Sequence, residues 1–169
     1  MAKWVRGYWD TSIFLCFLNR DEEARRGICE DILQHAAMER VHIYTATLTM
    51  VEVIRPKRKS IPTARQLTPK EINIVKSMFK WPFITTIELD ERTALYANDL
   101  ARDYDLAPAD AIQAASAILW KMDVLHAWDR DFSAVSHLIR VEQPQFLSDQ
   151  ILIEGIHPTR IGPAPEDFD

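Results

Sequence analysis

A domain of the α/β class is predicted by three features of the sequence. The 169 residues suit one compact domain, and a hydrophobic content of 47% is enough to fill its core. Short runs of β-branched and aromatic residues alternate with segments of helical periodicity, which is typical of a parallel sheet covered by helices. Residues 106–119, L-A-P-A-D-A-I-Q-A-A-S-A-I-L, are apolar on nearly every face and are expected to form a core helix.

The first half of the chain is predicted to contain two strands and three helices. Residues 4–9 are rich in aromatic and β-branched residues, which favours a strand, and an apolar helical run follows directly after Asp10. Two further helices are expected at residues 21–37 and 45–54. A second strand is expected at residues 41–44, so that strands and helices alternate from the start.

The second half alternates in the same way. Thr68 and Pro69 predict the start of a helix, with Thr68 as its N-terminal cap. Strands are expected at residues 83–89, 123–126 and 139–141. An amphipathic helix is expected at residues 91–104. Its apolar stripe is expected to consist of Ala94, Ala97, Ala101 and Tyr104.

The end of the chain differs in composition from the rest. After Gly155 it is rich in proline and ends in acidic residues. We therefore predict one domain over residues 1–150 and a tail over residues 151–169 that is extended or docks on a partner.

Charge and cysteine content restrict the class of protein. A formal net charge of −5 argues against a surface that is basic all over, so any nucleic acid would bind through a local patch and metal ions. The two cysteines, Cys16 and Cys29, form neither a disulfide framework nor a zinc pattern. The apolar run at residues 13–18 is too short to span a membrane. A cytoplasmic protein without a targeting segment is the expectation.

One stretch of the chain is strongly basic. Residues 55–65 read R-P-K-R-K-S-I-P-T-A-R, and the two prolines predict a loop. Such a run is often merely solvated, but it also suits contact with phosphates or with an acidic partner. Arg55, Lys57 and Arg58 are therefore candidate substrate-binding residues.

Several acidic residues stand where elements of the predicted sheet end or begin. Asp10 and Asp129 follow strands, Glu52 lies on a helix that follows a strand, and Asp110 falls in the first turn of the core helix. Three of them also have a simpler interpretation, because Asp10 and Asp110 would serve as helix caps and Glu52 as an exposed helical residue.

A βα-alternating chain can bring these four carboxylates to one edge of a parallel sheet. Carboxylates placed together repel and raise one another's pKa values. A hard divalent cation such as Mg²⁺ or Mn²⁺ would offset this repulsion and assist displacement at a phosphate. The residues thus allow an acidic metal site without requiring one.

Four short segments resemble the acidic motifs of PIN-domain proteins. They read Y-W-D-T-S-I-F-L (8–15), M-V-E-V-I (50–54), A-P-A-D-A-I-Q-A-A-S-A (107–117) and W-D-R-D-F (128–132). They occur in the family's order over most of the chain, and although no single motif is distinctive, the set is fairly specific. Many bacterial members are VapC-type ribonuclease toxins of type II toxin–antitoxin pairs.

The resemblance implies a three-layer α/β/α fold with a short central parallel sheet. It also implies metal-dependent endonuclease cleavage of RNA, with Mg²⁺ or Mn²⁺ as the cofactor. By motif, the catalytic acids would be Asp10, Glu52, Asp110 and Asp129. The metal ligands would be Asp10, Asp110 and Asp129, with Asp131 assisting through water. Ser12 matches a hydroxyl of the first motif and would contact the region of Asp10 or the substrate phosphate.

The same resemblance suggests a cognate antitoxin as partner and a homodimer as the assembly. One position departs from the family pattern, because Ala127 stands where the last motif usually carries Thr or Ser. Two functions therefore remain open for this sequence. The first is a metal-dependent endoribonuclease, the toxin of a toxin–antitoxin pair. The alternative is a catalytically weak PIN-like module that binds RNA or protein, in which the carboxylates act as caps and salt-bridge partners.

Overall fold

Five parallel strands form the central sheet of the protein. A computed structural model describes residues 5–17, 23–53 and 68–147. The strands are β1 (Val5–Trp9), β2 (Val41–Ala46), β3 (Ile84–Ile87), β4 (Val124–His126) and β5 (Val141–Glu142). Their order across the sheet is β3-β2-β1-β4-β5, and each neighbouring pair is parallel.

Helices connect these strands. They are α1 (Thr11–Leu15), α2 (Glu23–Ala37), α3 (Thr47–Glu52), α4 (Pro69–Met78), α5 (Glu91–Tyr104) and α6 (Pro108–Leu119). A 3₁₀ helix, Asp131–Val135, follows β4. The elements that the sequence predicts are all present within the described residues, with ends that shift by a few residues.

The strand order reverses at the centre of the sheet. From β1 the chain continues to β2 and β3 on one side, and it later places β4 and β5 on the other. Gly7 of β1 accordingly pairs with Ile43 of β2 and with Val124 of β4. In open parallel sheets, ligands gather outside the carboxyl ends of the strands at such a reversal. A ligand site is therefore expected outside the carboxyl ends of β1 and β4.

Two separate hydrophobic cores cover the two faces of the sheet. Alternate side chains of a strand point to opposite faces, so Tyr8 packs on one side and Trp9 on the other. Helices α5 and α6 and the 3₁₀ helix supply the core around Tyr8. Helices α1, α2 and α4 supply the core around Trp9. The predicted three-layer α/β/α architecture is confirmed.

Helix α6 lies in the first of these cores, as its sequence predicts. Its alanines at positions 111, 114, 115 and 117 are at most 1% exposed. Small side chains let the helix approach both the sheet and α5, against which it packs closely. The helix that carries Asp110 is therefore held on several sides.

Local details agree with the sequence in two places and differ in one. Thr68 caps α4 in a reciprocal capping box with Glu71, as predicted. Cys16 is a buried, free core cysteine whose Sγ lies 3.2 Å from Sγ of Cys29.

The predicted apolar stripe of α5 is partly wrong, because Ala94 is exposed and Leu100 is buried. The helix is rotated toward the larger apolar side chain, which gains more from burial than an alanine does.

Some predictions lie outside the described residues. They include the basic loop with Arg55, Lys57 and Arg58, and the tail at residues 151–169. Among the helices of the described ranges, none has the length and apolarity needed to cross a membrane.

Candidate active site at the reversal of strand order

Asp10 stands at the carboxyl end of β1, where the strand order reverses. Its backbone N–H donates to the carbonyl oxygen of His126, the last residue of β4, at 3.0 Å. Its side chain is 6% exposed and caps α1 by accepting a hydrogen bond from the backbone N–H of Ser12 at 3.0 Å. The capping role that the sequence allows is therefore present. It fixes the position of the carboxylate at the end of the sheet.

The surroundings of Asp10 disfavour its negative charge. Burial raises the pKa of Asp10 above its ordinary value. Hydrogen bonds from Ser12 and Thr11 offset part of this effect, and the Glu52 carboxylate raises the pKa further. Burial and a second carboxylate both oppose the negative charge of Asp10, and a bound cation would offset both effects.

Glu52 comes to the site from the end of α3. Its side chain is partly buried, and its Oε2 accepts a hydrogen bond from the hydroxyl of Thr11 at 2.5 Å. The Nε2 of Gln113 donates to the same oxygen at 3.3 Å. Glu52 is therefore directed inward by α1 and α6, and the interpretation as an exposed helical residue is wrong.

A buried set of hydroxyl and amide groups surrounds these carboxylates. Gln113 of α6 is fully buried, and its Nε2 donates to the hydroxyls of Thr11 at 2.9 Å and Thr49 at 3.0 Å. Its Oε1 accepts from the hydroxyl of Tyr8 at 2.5 Å. Thr45 extends the set, since its hydroxyl donates to the carbonyl oxygen of Trp9 at 2.8 Å and lies 2.8 Å from that of Thr49.

None of these polar residues is a candidate in the sequence analysis. One signal was available, because Gln113 is the one amide side chain of α6 and stands a single turn after Asp110. Thr11 lies between Asp10 and Ser12, and Thr49 precedes Glu52 by three residues on α3. The contacts of Gln113 join residues 61 to 105 positions apart, which no local pattern predicts.

Asp110 lies in the first turn of α6, after Pro108. It is not the N-cap, because Ala107 takes that position and provides no side-chain capping bond. Residues three apart lie on the same helix face, so Asp110 shares the face of Gln113. Since Gln113 contacts Thr11 and Glu52, this face of α6 is turned toward the site.

The loop after β4 approaches the same region. The hydroxyl of Ser12 accepts a hydrogen bond from the backbone N–H of Trp128 at 3.2 Å, which fixes this loop to the start of α1. Asp129 follows Trp128 and is exposed, and Asp131 is also exposed at the start of the 3₁₀ helix. Ala127 is fully buried in the core on the α5 and α6 side of the sheet.

Residues 8–138 match the sequence profile of the PIN domain family. The chain belongs to the PIN domain family. This match spans β1 to the 3₁₀ helix and thus includes every described candidate residue of the site. Among curated proteins, no sequence matches this PIN domain.

Solved structures share the fold of this PIN domain. VapBC2 of Rickettsia felis, solved with a DNA fragment from its promoter, is 14% identical with a TM-score of 0.57, covering 82% of this chain and 98% of that one. VapC20 of Mycobacterium tuberculosis, described as a toxin that cleaves the sarcin–ricin loop, is 16% identical with a TM-score of 0.59, covering 76% and 94%. A toxin–antitoxin complex of Klebsiella pneumoniae is 18% identical with a TM-score of 0.56, covering 83% and 99%.

The donor set of this PIN domain fits a hard divalent cation. Mg²⁺ is commonly held by one or two carboxylates together with water and substrate phosphate, and Asp10 is a buried carboxylate at the end of β1. The raised pKa of Asp10 fits the same interpretation. Within residues 5–17, 23–53 and 68–147, no group of three or more His, Cys, Asp or Glu side chains is arranged to hold a metal ion.

Proposed function

We propose that this PIN domain is a metal-dependent endoribonuclease that hydrolyses RNA phosphodiester bonds, and that it is the toxin of a type II toxin–antitoxin pair. The observation that carries the proposal is the buried carboxylate of Asp10, which lies at the reversal of strand order in a PIN domain and whose pKa the charge of a second carboxylate, Glu52, helps to raise. Mg²⁺ or Mn²⁺ is the proposed cofactor, since oxygen donors suit these ions.

Each candidate residue has a proposed role. Asp10, Glu52, Asp110 and Asp129 are the catalytic acids. Asp10, Asp110 and Asp129 hold the cation, with Asp131 assisting through water. When bound, the cation would lower the pKa of water and stabilise charge on the reacting phosphate, giving products with 5′-phosphate and 3′-hydroxyl ends.

The chain itself supplies position and charge. The backbone N–H of Ser12 holds the Asp10 carboxylate, and the hydroxyl of Thr11 holds the Glu52 carboxylate. The Ser12 hydroxyl keeps the loop of Asp129 against α1 through Trp128. Arg55, Lys57 and Arg58 are proposed to contact the phosphate backbone of RNA, as a basic loop can do in a protein of negative net charge.

A cognate antitoxin is the proposed partner. A solved structure with the same fold, from Klebsiella pneumoniae, is described as a toxin–antitoxin complex, which supports this. An Arg or Lys side chain of the antitoxin would bind among the carboxylates, since charge-assisted hydrogen bonds to carboxylates are strong. We also propose a homodimer and a cytoplasmic location. Co-purification of the chain with the product of the adjacent reading frame tests the partner.

The test of catalysis is RNA cleavage by the full chain with Mn²⁺, with EDTA, and with the Asp110→Asn variant. We expect cleavage only with Mn²⁺, and a loss with Asp110→Asn on the order of 100-fold or more. The matched control is Asp99→Asn, because Asp99 is an exposed residue of α5 that pairs with Arg102. If wild type cuts no RNA, or if Asp110→Asn cuts as well as wild type, the nuclease proposal fails.

Ala127 favours the second candidate function. Where the family's last motif usually carries a hydroxyl, this chain has a methyl group that is fully buried in the core. A catalytically weak module that binds RNA or protein would follow if this hydroxyl is needed. Two results together would favour this alternative. The wild-type protein would bind RNA or a partner without cutting RNA, and the Ala127→Thr variant would cut RNA.

A further inference from the structure

We propose that Gln113 is a positioning residue that fixes the Glu52 carboxylate for the reaction, an inference that rests on the proposed nuclease function. Gln113 is fully buried on a mostly apolar helix. Its side chain bridges β1, α1 and α3, which carry Tyr8, Thr11 and Glu52. It would touch neither substrate nor cation and would act through Glu52.

The partners of Gln113 account for all of its hydrogen-bonding groups. A side-chain amide has two N–H donors and one carbonyl oxygen. The Nε2 lies 2.9 Å from the Thr11 hydroxyl, 3.0 Å from the Thr49 hydroxyl and 3.3 Å from Oε2 of Glu52. A buried amide without such partners would cost about 1–3 kcal/mol. The site therefore constrains this side chain strongly.

Tyr8 determines which way the amide of Gln113 points. Burial raises the pKa of Tyr8 far above its ordinary value, so its side chain remains a phenol. A phenol hydroxyl can donate to Oε1 of Gln113, from which it lies 2.5 Å away. With Oε1 held by Tyr8, the N–H groups must face Thr11, Thr49 and Glu52. The reversed amide would place its carbonyl oxygen against the Glu52 carboxylate.

The hydrogen bonds then run in one direction. Tyr8 donates to Gln113, Gln113 donates to Thr11, and the Thr11 hydroxyl donates to Oε2 of Glu52 at 2.5 Å. Bonds arranged head to tail strengthen one another. This series of hydrogen bonds ends on the Glu52 carboxylate, so it favours one orientation of that side chain.

The first test replaces Gln113 by a side chain of similar shape without donors. We expect Gln113→Met to lower kcat for RNA cleavage about 10- to 100-fold, as loss of an outer-shell partner commonly does. KM for RNA should change by less than about threefold, because Gln113 does not contact RNA. The control is Gln34→Met, at an exposed position of α2, which should leave both constants unchanged.

A second variant separates positioning from a merely structural role. Gln113→Glu keeps the shape but places an oxygen where Nε2 donates. At high pH the introduced carboxyl group is ionised and repels Glu52, whereas at lower pH it can take a proton and donate. The ratio of variant to wild-type kcat should therefore rise as the pH falls from 8 to 6. A constant ratio would contradict the proposal.

A third measurement does not depend on activity. The side-chain amide of Gln113 gives a pair of ¹H–¹⁵N signals, which can be assigned in the wild-type protein through their connection to the side-chain carbons of Gln113. We expect both signals to shift in Glu52→Gln and in Tyr8→Phe, and to stay in place in Gln34→Met. If they do not shift in the first two variants, the positioning proposal fails, even if Gln113→Met proves unstable.

These outcomes also distinguish the positioning role of Gln113 from the proposed nuclease function. If wild type cuts no RNA, the nuclease function fails, and the amide signals alone decide whether Gln113 holds Glu52. If wild type cuts RNA and folded Gln113→Met keeps kcat within twofold, the nuclease function stands and the role of Gln113 is overturned.

Discussion

The Asp10 side chain has two opposing effects on the stability of the fold. It caps α1, which stabilises the fold, and it is a buried carboxylate close to a second one, which destabilises it. Its pKa in the folded protein is raised above that of the unfolded chain. Its ionisation in the folded protein therefore lowers the free energy of unfolding as the pH rises past its ordinary pKa.

Asp10→Asn should separate these two effects on stability. Asn is as good an N-cap as Asp, so the bond from Ser12 is kept while the charge is removed. We expect the variant to melt at the same or a higher temperature than wild type at pH 7 in EDTA, and to lose RNA cleavage. Asp10→Ala is the matched control and should melt at a lower temperature than Asp10→Asn, because it loses the cap as well as the charge. A clear drop in melting temperature for Asp10→Asn would contradict this account.

His126 gives the apoprotein a second dependence on pH. Burial, with a smaller effect from Arg140, lowers the pKa of His126 to about 4, and its Nδ1 has no hydrogen-bond partner within the described part of the chain. The unfolded chain binds a proton near pH 6.5, so stability is full above that pH and declines as the pH falls toward 4. The decline is at most about 3 kcal/mol.

His126→Gln should flatten this decline, since it removes the titrating group. Urea unfolding in EDTA between pH 7 and pH 4 measures it. His137→Gln is the control, because His137 is exposed and contacts Tyr104. An equally steep pH dependence in wild type and His126→Gln would show that another group is responsible.

At the scale of elements, the start of α4 is stabilised by its own sequence. The Thr68 hydroxyl accepts from the backbone N–H of Glu71 at 3.3 Å, and the Glu71 carboxylate accepts from the backbone N–H of Thr68 at 2.8 Å. Thr68→Ala removes the first bond and should lower the free energy of unfolding by about 1 kcal/mol.

The control for this cap lies on the same helix. Ser77 is exposed, and its hydroxyl donates to the carbonyl oxygen of Ile74, so Ser77→Ala should change stability by less than about 0.5 kcal/mol. Chemical denaturation measures both variants. Equal losses at Thr68 and Ser77 would show that the capping box does not stabilise the folded protein.

Elements such as α4 and α5 were predictable because their signals are local. Thr68 and Pro69 mark the start of α4, and α5 spans the predicted residues 91–104. The inward direction of Glu52 was not predictable from α3 alone. It depends on Thr11 and Gln113, which come from other elements and meet Glu52 only after the sheet has formed.

At the scale of the whole molecule, the alternation of strands and helices predicts the class of fold, but the reversal beside β1 decides where the site lies. Asp10 follows β1, Glu52 ends α3 and Asp110 lies in the first turn of α6, so the three belong to elements that are far apart in the sequence. Parallel pairing of β1 with both β2 and β4 brings their ends together. A divalent cation bound there would therefore bind the folded chain and not the unfolded one.

This linkage predicts that Mn²⁺ raises the melting temperature of the wild-type protein. A ligand at 100 times its Kd stabilises the folded state by about 2.7 kcal/mol. For a domain of this size that corresponds to a shift of roughly 5–10 °C. Asp10→Asn and Asp110→Asn should each lose most of this shift, and Asp99→Asn should keep it. Since no RNA is present, an unchanged melting temperature with Mn²⁺, or an equal shift in Asp10→Asn, would argue against a metal site at these carboxylates whatever the substrate.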